Sequence, residues 1–316
     1  MKKLIFVPMV FALMILTGAI WFYVNTRPVS NSERFVDFIV AKGSSASEIG
    51  KNLESAGLIR NELAFRIYFK LYGHADKIQS GQFRLSASYS LLQIIKALLG
   101  GPEEVRVTIP EGLRREEIAQ RFAASLGKGN AFVSELLQDS KGMEGYLFPD
   151  TYLIPADASP SAIIRKMNET FRSKTAGLSS SVGLSFDQSV VLASIVERET
   201  RTNAERPIVA GILVKRLNAG MALQVDATIQ YAIGNSKDWW PIVTPIDLRV
   251  NSPFNTYVNK GLPPTPICNP GLSSLKAAFN PIHTDYWYYI HDPSGQIHYA
   301  TTLAEQTANI KKYLNQ

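Results

Sequence analysis

Cysteine is almost missing: Cys268 is the only one in 316 residues. A lone thiol closes no disulfide, and it cannot supply a zinc cluster within one chain. Histidine is scarce as well, with four residues, none at metal-ligand spacing, so no metal and no cofactor is expected. There is no Gly-x-Ser-x-Gly elbow, no recognisable Ser-His-Asp order, no phosphate-binding glycine loop and no nucleic-acid-binding motif. Charge is modest, at 19% of residues against 46% hydrophobic ones, a globular balance that can bury a sizeable core. The excess is basic, +6 in formal net charge. That suits an anionic polymer or a membrane surface, although many soluble proteins share it. Nucleic acid is not an expected partner.

One long uncharged run is present, from Leu4 to Val24, behind Lys2 and Lys3 and ahead of Arg27. At ~1.5 Å per residue it spans about 30 Å, the thickness of a hydrocarbon core. Trp21, Phe22 and Tyr23 would form an aromatic belt at its far end. A cleaved signal peptide would need a shorter apolar core and a small-x-small cleavage site. The run is long and ends in bulky aromatics, so an uncleaved single-pass membrane helix is expected over 4–24. The two lysines make residues 1–3 a cytoplasmic tip and place everything after Arg27 outside the cytoplasm.

Residues 25–34 form a polar linker. A strand is expected at Phe35–Val40, then a turn at Lys42-Gly43 and a helix opened by Ser45 or Ser47. A helix over Ala64–Leu71, a strand over Gly81–Leu85 and a helix over Tyr89–Leu99 follow. The first unit recurs in outline: a strand at Val105–Ile109, a turn at Glu111-Gly112, and a helix carrying Ile118 and Phe122 as the earlier one carries Ile49 and Leu53. Residues 35–105 read either as a small α/β packing subdomain or as a glycan-binding module, since strand–helix–helix–strand units of this kind resemble LysM domains. Beyond 105 the pattern is α+β. Helices are expected at Gln188–Thr200, Pro207–Leu217 and Ser273–Phe279, with an aromatic strand at Tyr286–Ile290. Proline-rich loops over 238–270 have too many aromatics and asparagines for disorder. The expected fold class is α+β, with a domain at 106–316 following the smaller subdomain.

Two glutamates end the helix QSVVLASIVERET. At ~100° per residue, Glu197 and Glu199 point nearly opposite ways. Glu199 shares its face with Leu192, Ile195 and Val196, whose bulk would desolvate the carboxyl and raise its pKa toward that of a general acid. Glu197 shares a face with smaller residues and has Arg201 four positions on, the pattern of a structural ion pair. From the helix alone, a buried salt bridge from Glu199 to Arg206 or Arg216 stands level with catalysis.

The segments EGYLFPDTY (144–152), LASIVERET (192–200), ERPIVAGILVKRLNAGMALQVDATIQY (205–231), NTYVNKGLPPTPICNPG (255–271) and SLKAAFNP (274–281) closely resemble the endolytic murein transglycosylases, the MltG or YceG-like family. Five blocks in register carry the likeness across roughly 35–316. The resemblance implies lytic cleavage between N-acetylmuramic acid and N-acetylglucosamine within nascent peptidoglycan strands, leaving 1,6-anhydromuramyl ends and terminating elongation. It implies an inner-membrane anchor, an extracytoplasmic (periplasmic) catalytic domain and a LysM-like subdomain over 35–105. Peptidoglycan synthases become expected neighbours. The family's catalytic glutamate corresponds to Glu199. The chain departs from the family where Glu305 is followed by Gln306-Thr307 instead of His-Asn, and where Phe254 precedes Asn255 instead of tyrosine.

Gln224, Asp226, Asn255, Thr256, Tyr257, Glu144 and Tyr146 are the candidate substrate-binding residues; each could equally cap a loop or satisfy the core. Asp226 is also a candidate second carboxylate, which would make the reaction hydrolytic. His291 and His298 read as structural. A noncatalytic peptidoglycan-binding scaffold and a two-carboxylate muramidase remain the alternatives.

Overall fold

The computed structural model describes residues 2–72 and 78–314, with the side chains of 2–8 and of residue 72 outside that description. Among the described residues the chain is α+β, with twelve α-helices and three two-stranded sheets. It divides into two compact units, 1–105 with 153–158, and 106–152 with 159–316.

In the first unit, α1 (Lys2–Asn25) leaves its described apolar side chains from Met9 to Val24 exposed, except Phe22, which packs half-buried against this unit's core. Among the described residues no helix is long and apolar enough to cross a membrane; the expected span over 4–24 begins in side chains that lie outside the description. Strand β1 (Phe35–Val40) pairs antiparallel with β2 (Gly81–Ser86), with Phe38 opposite Phe83. Between them lie α2 (Ala46–Ser55) and α3 (Glu62–Tyr72), and α4 (Leu91–Leu99) follows. Ser45, not Ser47, is the N-cap of α2, in a reciprocal capping box with Glu48; Ser90 and Gln93 do the same for α4. Phe38, Ile49, Leu53, Phe65, Phe83, Leu85 and Ile94 bury one common core, each worth about 1.5–3 kcal/mol against exposure.

The strand–glycine–helix pattern recurs as the sequence suggests. Gly43 (φ 83°) and Gly112 (φ 79°) both occupy the left-handed region that side chains with a Cβ resist. After Gly112 comes α5 (Arg115–Ser125), burying Ile118 and Phe122. Strands β3 (Glu104–Thr108) and β4 (Thr151–Pro155) pair, with α6 (Asn130–Asp139) between them and α7 (Pro160–Thr175) after.

The second unit is organised around α8 (Phe186–Glu199), α9 (Arg206–Asn218) and α11 (Leu272–Phe279). Leu192, Ile195, Val196, Val209, Leu213, Leu275 and Ala278 form its core. Helix α10 (Asp226–Ile233), not anticipated, fills the stretch after Gln224. The hairpin β5 (Tyr288–His291) and β6 (Ile297–Ala300) places Tyr289 opposite Tyr299. Helix α12 (Leu303–Tyr313) closes the chain. The aromatic strand begins at Tyr288, two residues later than Tyr286, and Trp287 just before it still donates its amide across the hairpin to Ala300 O at 2.9 Å.

Gly211 shows how tightly α9 is seated. A Cβ there would press on the backbone carbonyl of Ile282, whose amide donates to Pro207 O at 3.0 Å. In an open helix Gly→Ala gains about 1 kcal/mol; overpacking a rigid site costs about 1–3 kcal/mol, and backbone cannot rotate away. Gly211→Ala is therefore expected to lower the urea midpoint of unfolding, not raise it.

Candidate active site

Helix α8 sets the position of the site by where it stops. Ser185 caps its start, and Gln188 reaches back to complete the box. The buried face runs Leu192, Ile195, Val196 and delivers Glu199 as the last helical residue. Thr200 is already extended (φ −125°, ψ 146°), one residue earlier than expected from sequence. No further helical turn covers the Glu199 side chain.

Glu199 opens on a groove of about 520 Å³ lined by Arg216 of α9, Gln224 and Asp226 at the start of α10, Tyr257, Tyr289 and His291 of β5, and Gln306 of α12. Tyr289 Oη donates to Glu199 Oε2 at 2.8 Å. Burial pushes the carboxyl above its ordinary range. The Tyr289 hydrogen bond opposes that, the Asp226 charge reinforces it, and His291 and the Ala227 amide pull against it without cancelling it. Asp226 accepts from Tyr257 Oη at 2.5 Å. Gln224 holds a positive φ of 55°, rare for a residue with a Cβ, and its amide donates to Thr256 O at 3.1 Å.

The salt-bridge alternative for Glu199 is not what forms. Arg216 donates Nε to Trp287 O at 2.8 Å and Nη1 to Leu223 O at 2.6 Å. Arg206 pairs with Glu197 at 3.0 Å and with Glu111 at 3.6 Å. The expected Glu197–Arg201 pair is thereby corrected. Because the helix ends at Glu199, position 201 is no longer one turn along the same face, and Glu197 Oε2 instead accepts the Gly271 amide at 2.8 Å.

Of the seven candidate binding residues, Gln224, Asp226 and Tyr257 line the groove with Glu199. Asn255 and Thr256 are buried behind it. Asn255 Nδ2 donates to Leu248 O and Val250 O at 3.1 and 2.8 Å. Thr256 Oγ1 accepts the Val225 amide at 3.0 Å and meets Thr228 Oγ1 at 2.9 Å. They hold the loop that presents Tyr257. Tyr146 lies in a separate crevice beside Phe171 and Phe186, donating to Asp187 at 2.6 Å. Glu144 is buried against the Arg115 amide and Asn269 Nδ2, the latter at 2.7 Å. His298 is structural, bonded to Asp292 at 2.9 Å and stacked on Tyr313. His291 bonds Glu205 at 3.1 Å but also faces the groove. Sequence reasoning missed Tyr289, Arg216 and Gln306 as groove residues. The one signal was the aromatic strand, which marked a surface without saying which ring would reach Glu199.

The sequence profile of the YceG-like family matches residues 38–312. The chain belongs to the YceG-like family. It is similar to the endolytic murein transglycosylase of Bacillus subtilis, 31% identical over 315 residues, covering 90% of this chain and 86% of that protein. The endolytic murein transglycosylase of Streptococcus pneumoniae is 28% identical over 329 residues, covering 90% of this chain. This chain spans 60% of the length of that pneumococcal relative. A crystal structure of a putative YceG-like protein from Listeria monocytogenes matches with a TM-score of 0.55 at 30% identity, covering 88% of this chain and all but 1% of that one (99%).

In this YceG-like chain Glu144 is a second desolvated carboxyl, buried within the protein. Burial, then the nearby Glu116, push its pKa to about 8, while the Arg115 amide and the charges of Arg114 and Arg115 act the other way. A folded pKa raised from 4.5 to about 8 contributes stability that is fully present below 4.5 and is lost as pH rises through about 8. By pH 7 the loss is on the order of 3 kcal/mol. Glu144→Gln removes this titration. The melting temperature of the variant relative to wild type is therefore expected to rise steadily between pH 5 and pH 8; a constant difference would show that Glu144 does not titrate in this range.

Proposed function

We propose that this chain is a lytic transglycosylase that cuts within peptidoglycan glycan strands at the bond between N-acetylmuramic acid and N-acetylglucosamine. The observation that carries it is Glu199, one desolvated carboxyl with a raised pKa opening on a groove lined by hydroxyl, amide and aromatic side chains. Such a lining suits the hydroxyls and apolar faces of a sugar. The names of the Bacillus subtilis and pneumococcal relatives support the same substrate.

Protonated Glu199 gives its proton to the glycosidic oxygen, and the bond to the anomeric carbon breaks through an oxocarbenium-like state. The carboxylate left behind takes the proton of the C6 hydroxyl as that oxygen bonds the anomeric carbon. The product is a 1,6-anhydro end, no water is consumed, and Glu199 returns to its protonated form. The Asp226 charge beside it helps to keep the acid protonated. Arg216, Gln224 and Tyr257 contact the strand.

The apolar α1 anchors the chain in the inner membrane with its N-terminus in the cytoplasm. The exposed apolar side chains between Met9 and Val24, Phe22 excepted, and the uncharged sequence run from Leu4 support this. The catalytic unit then works outside the cytoplasm on newly made strands, ending their elongation near the synthases. The β1–α2–α3–β2 unit acts as a LysM-like glycan-binding subdomain.

A second reading, a two-carboxylate muramidase, is favoured by one observation: Asp226 shares the groove. Mass analysis of new ends on uncrosslinked strands separates the two. Ends lighter by one water are expected; reducing ends would reject the lytic step. Glu199→Gln is expected to lower cleavage by roughly 10²–10⁴-fold with the fold intact, and full activity in that variant would remove the proposed acid. Because the Asp226 charge raises the Glu199 pKa, Asp226→Asn lets Glu199 ionise more readily. The basic limb of its pH–rate profile is expected at lower pH than in wild type.

A further inference from the structure

Tyr289 enters the groove from a strand held on two sides. Across the hairpin it faces Tyr299 in register, and its carbonyl accepts from Gln306 Nε2 of α12 at 3.2 Å. Gln306 is itself buried, so α12 fixes the backbone that carries the phenol. The ring is packed against the main core, and its hydroxyl has one described partner, Glu199 Oε2, at 2.8 Å. The second groove carboxylate carries the same device, Tyr257 Oη on Asp226 at 2.5 Å. Each acid in the groove thus has one oxygen tied to a rigid tyrosine from a different element.

We propose that Tyr289 is a positioning residue for the acid–base work of Glu199. Its phenol occupies Oε2, so the transferable proton resides on Oε1, and the same O–H holds the carboxylate in place between giving that proton and taking the next. This rests on the lytic reaction assigned to Glu199 above. A single carboxyl that reverses its role must not swing away when it becomes charged, and a donor on a packed strand prevents that at no cost of rearrangement. The other groups facing Glu199 do not substitute. Asp226 accepts from Tyr257 and raises the acid's pKa instead of steadying its charge; Arg216 directs two of its donors to backbone carbonyls; His291 is bonded to Glu205 at 3.1 Å; the Ala227 amide of α10 faces the carboxylate but contributes least among the groups acting on its ionisation. A plain structural role is the competing account, since a buried phenol needs some acceptor.

The two accounts differ in the pH profile. The tyrosine hydrogen bond favours the ionised carboxyl, so Tyr289→Phe is expected to move the basic limb to higher pH, opposite to Asp226→Asn. It is also expected to lower kcat about 10–100-fold with KM little changed. Incorporating 3-fluorotyrosine at 289 keeps the packing and makes the phenol a stronger donor, so the limb should move to lower pH. Tyr299→Phe, on the neighbouring strand and outside the groove, should leave the limb where it is. The measurement is cleavage of uncrosslinked glycan strands by the full chain in detergent, with wild type and Glu199→Gln alongside. Tyr289→Phe with wild-type kcat, or with lost activity and an unmoved limb, overturns the role of Tyr289 alone. Where Tyr289→Phe fails to fold, an unmoved limb in the fluorotyrosine protein overturns it. A wild type that cuts nothing, or an active Glu199→Gln, overturns the parent reaction and this role with it.

Discussion

The site depends on one packing constraint: a helix buried on every face from Ser189 to Val196 that ends at a carboxyl group. Leu192, Ile195 and Val196 are fixed among α9 and α11, so Glu199 cannot retreat from its position without unpacking the core. Burial supplies the desolvation, and the extended Thr200 supplies the opening. Were the helix one turn longer, the same carboxyl would be walled in. Were it one turn shorter, it would stand in bulk water with an ordinary pKa. The chemistry at Glu199 follows from a boundary that aliphatic residues elsewhere in the helix enforce.

Around that fixed point the groove is assembled from pieces distant in sequence. The 224–226 segment is held by backbone and hydroxyl bonds to Thr256, which puts Asp226 and Tyr257 in one place. The β5–β6 hairpin brings Tyr289 and His291, and α12 closes the groove with Gln306. Opposed influences then set the acid: desolvation and the Asp226 charge keep the proton on, while Tyr289, His291 and the Ala227 amide make its departure tolerable. A carboxyl that must act first as acid and then as base needs both sets, because extreme bias either way stalls one half of the cycle.

Local structure was legible in the sequence wherever one residue settles it. A serine, Ser45 or Ser47, announces α2, Gly43 and Gly112 their turns, and the aliphatic face of α8 the burial of Glu199. What failed were partnerships. The i, i+4 rule paired Glu197 with Arg201, but the rule holds only inside a helix, and this one stops between them. Asn255 and Thr256 carry the same polar groups as a sugar-binding residue, yet Asn255 turns its amide to the backbone of its own loop and Thr256 its hydroxyl to Val225 and Thr228. Tyr289 and Gln306 lie about 90 and 107 positions after Glu199 in the chain, beyond any periodicity argument, and only the fold brings them to it.

Glu144 and Glu199 together show why a raised pKa does not by itself mark an active carboxyl. Both are desolvated, and both are pushed above the usual range by burial. Glu144 is enclosed by the Arg115 amide and by Asn269, whose Oδ1 also accepts the amides of Gly145 and Leu147 at 3.0 and 2.9 Å. Its described partners, the Arg115 amide and Asn269 Nδ2, both belong to the surrounding chain. Glu199 faces space large enough for a sugar. Perturbed acidity becomes a functional signal only when the perturbed group also has access to something that is not protein, and in this chain that second condition separates two glutamates the first cannot.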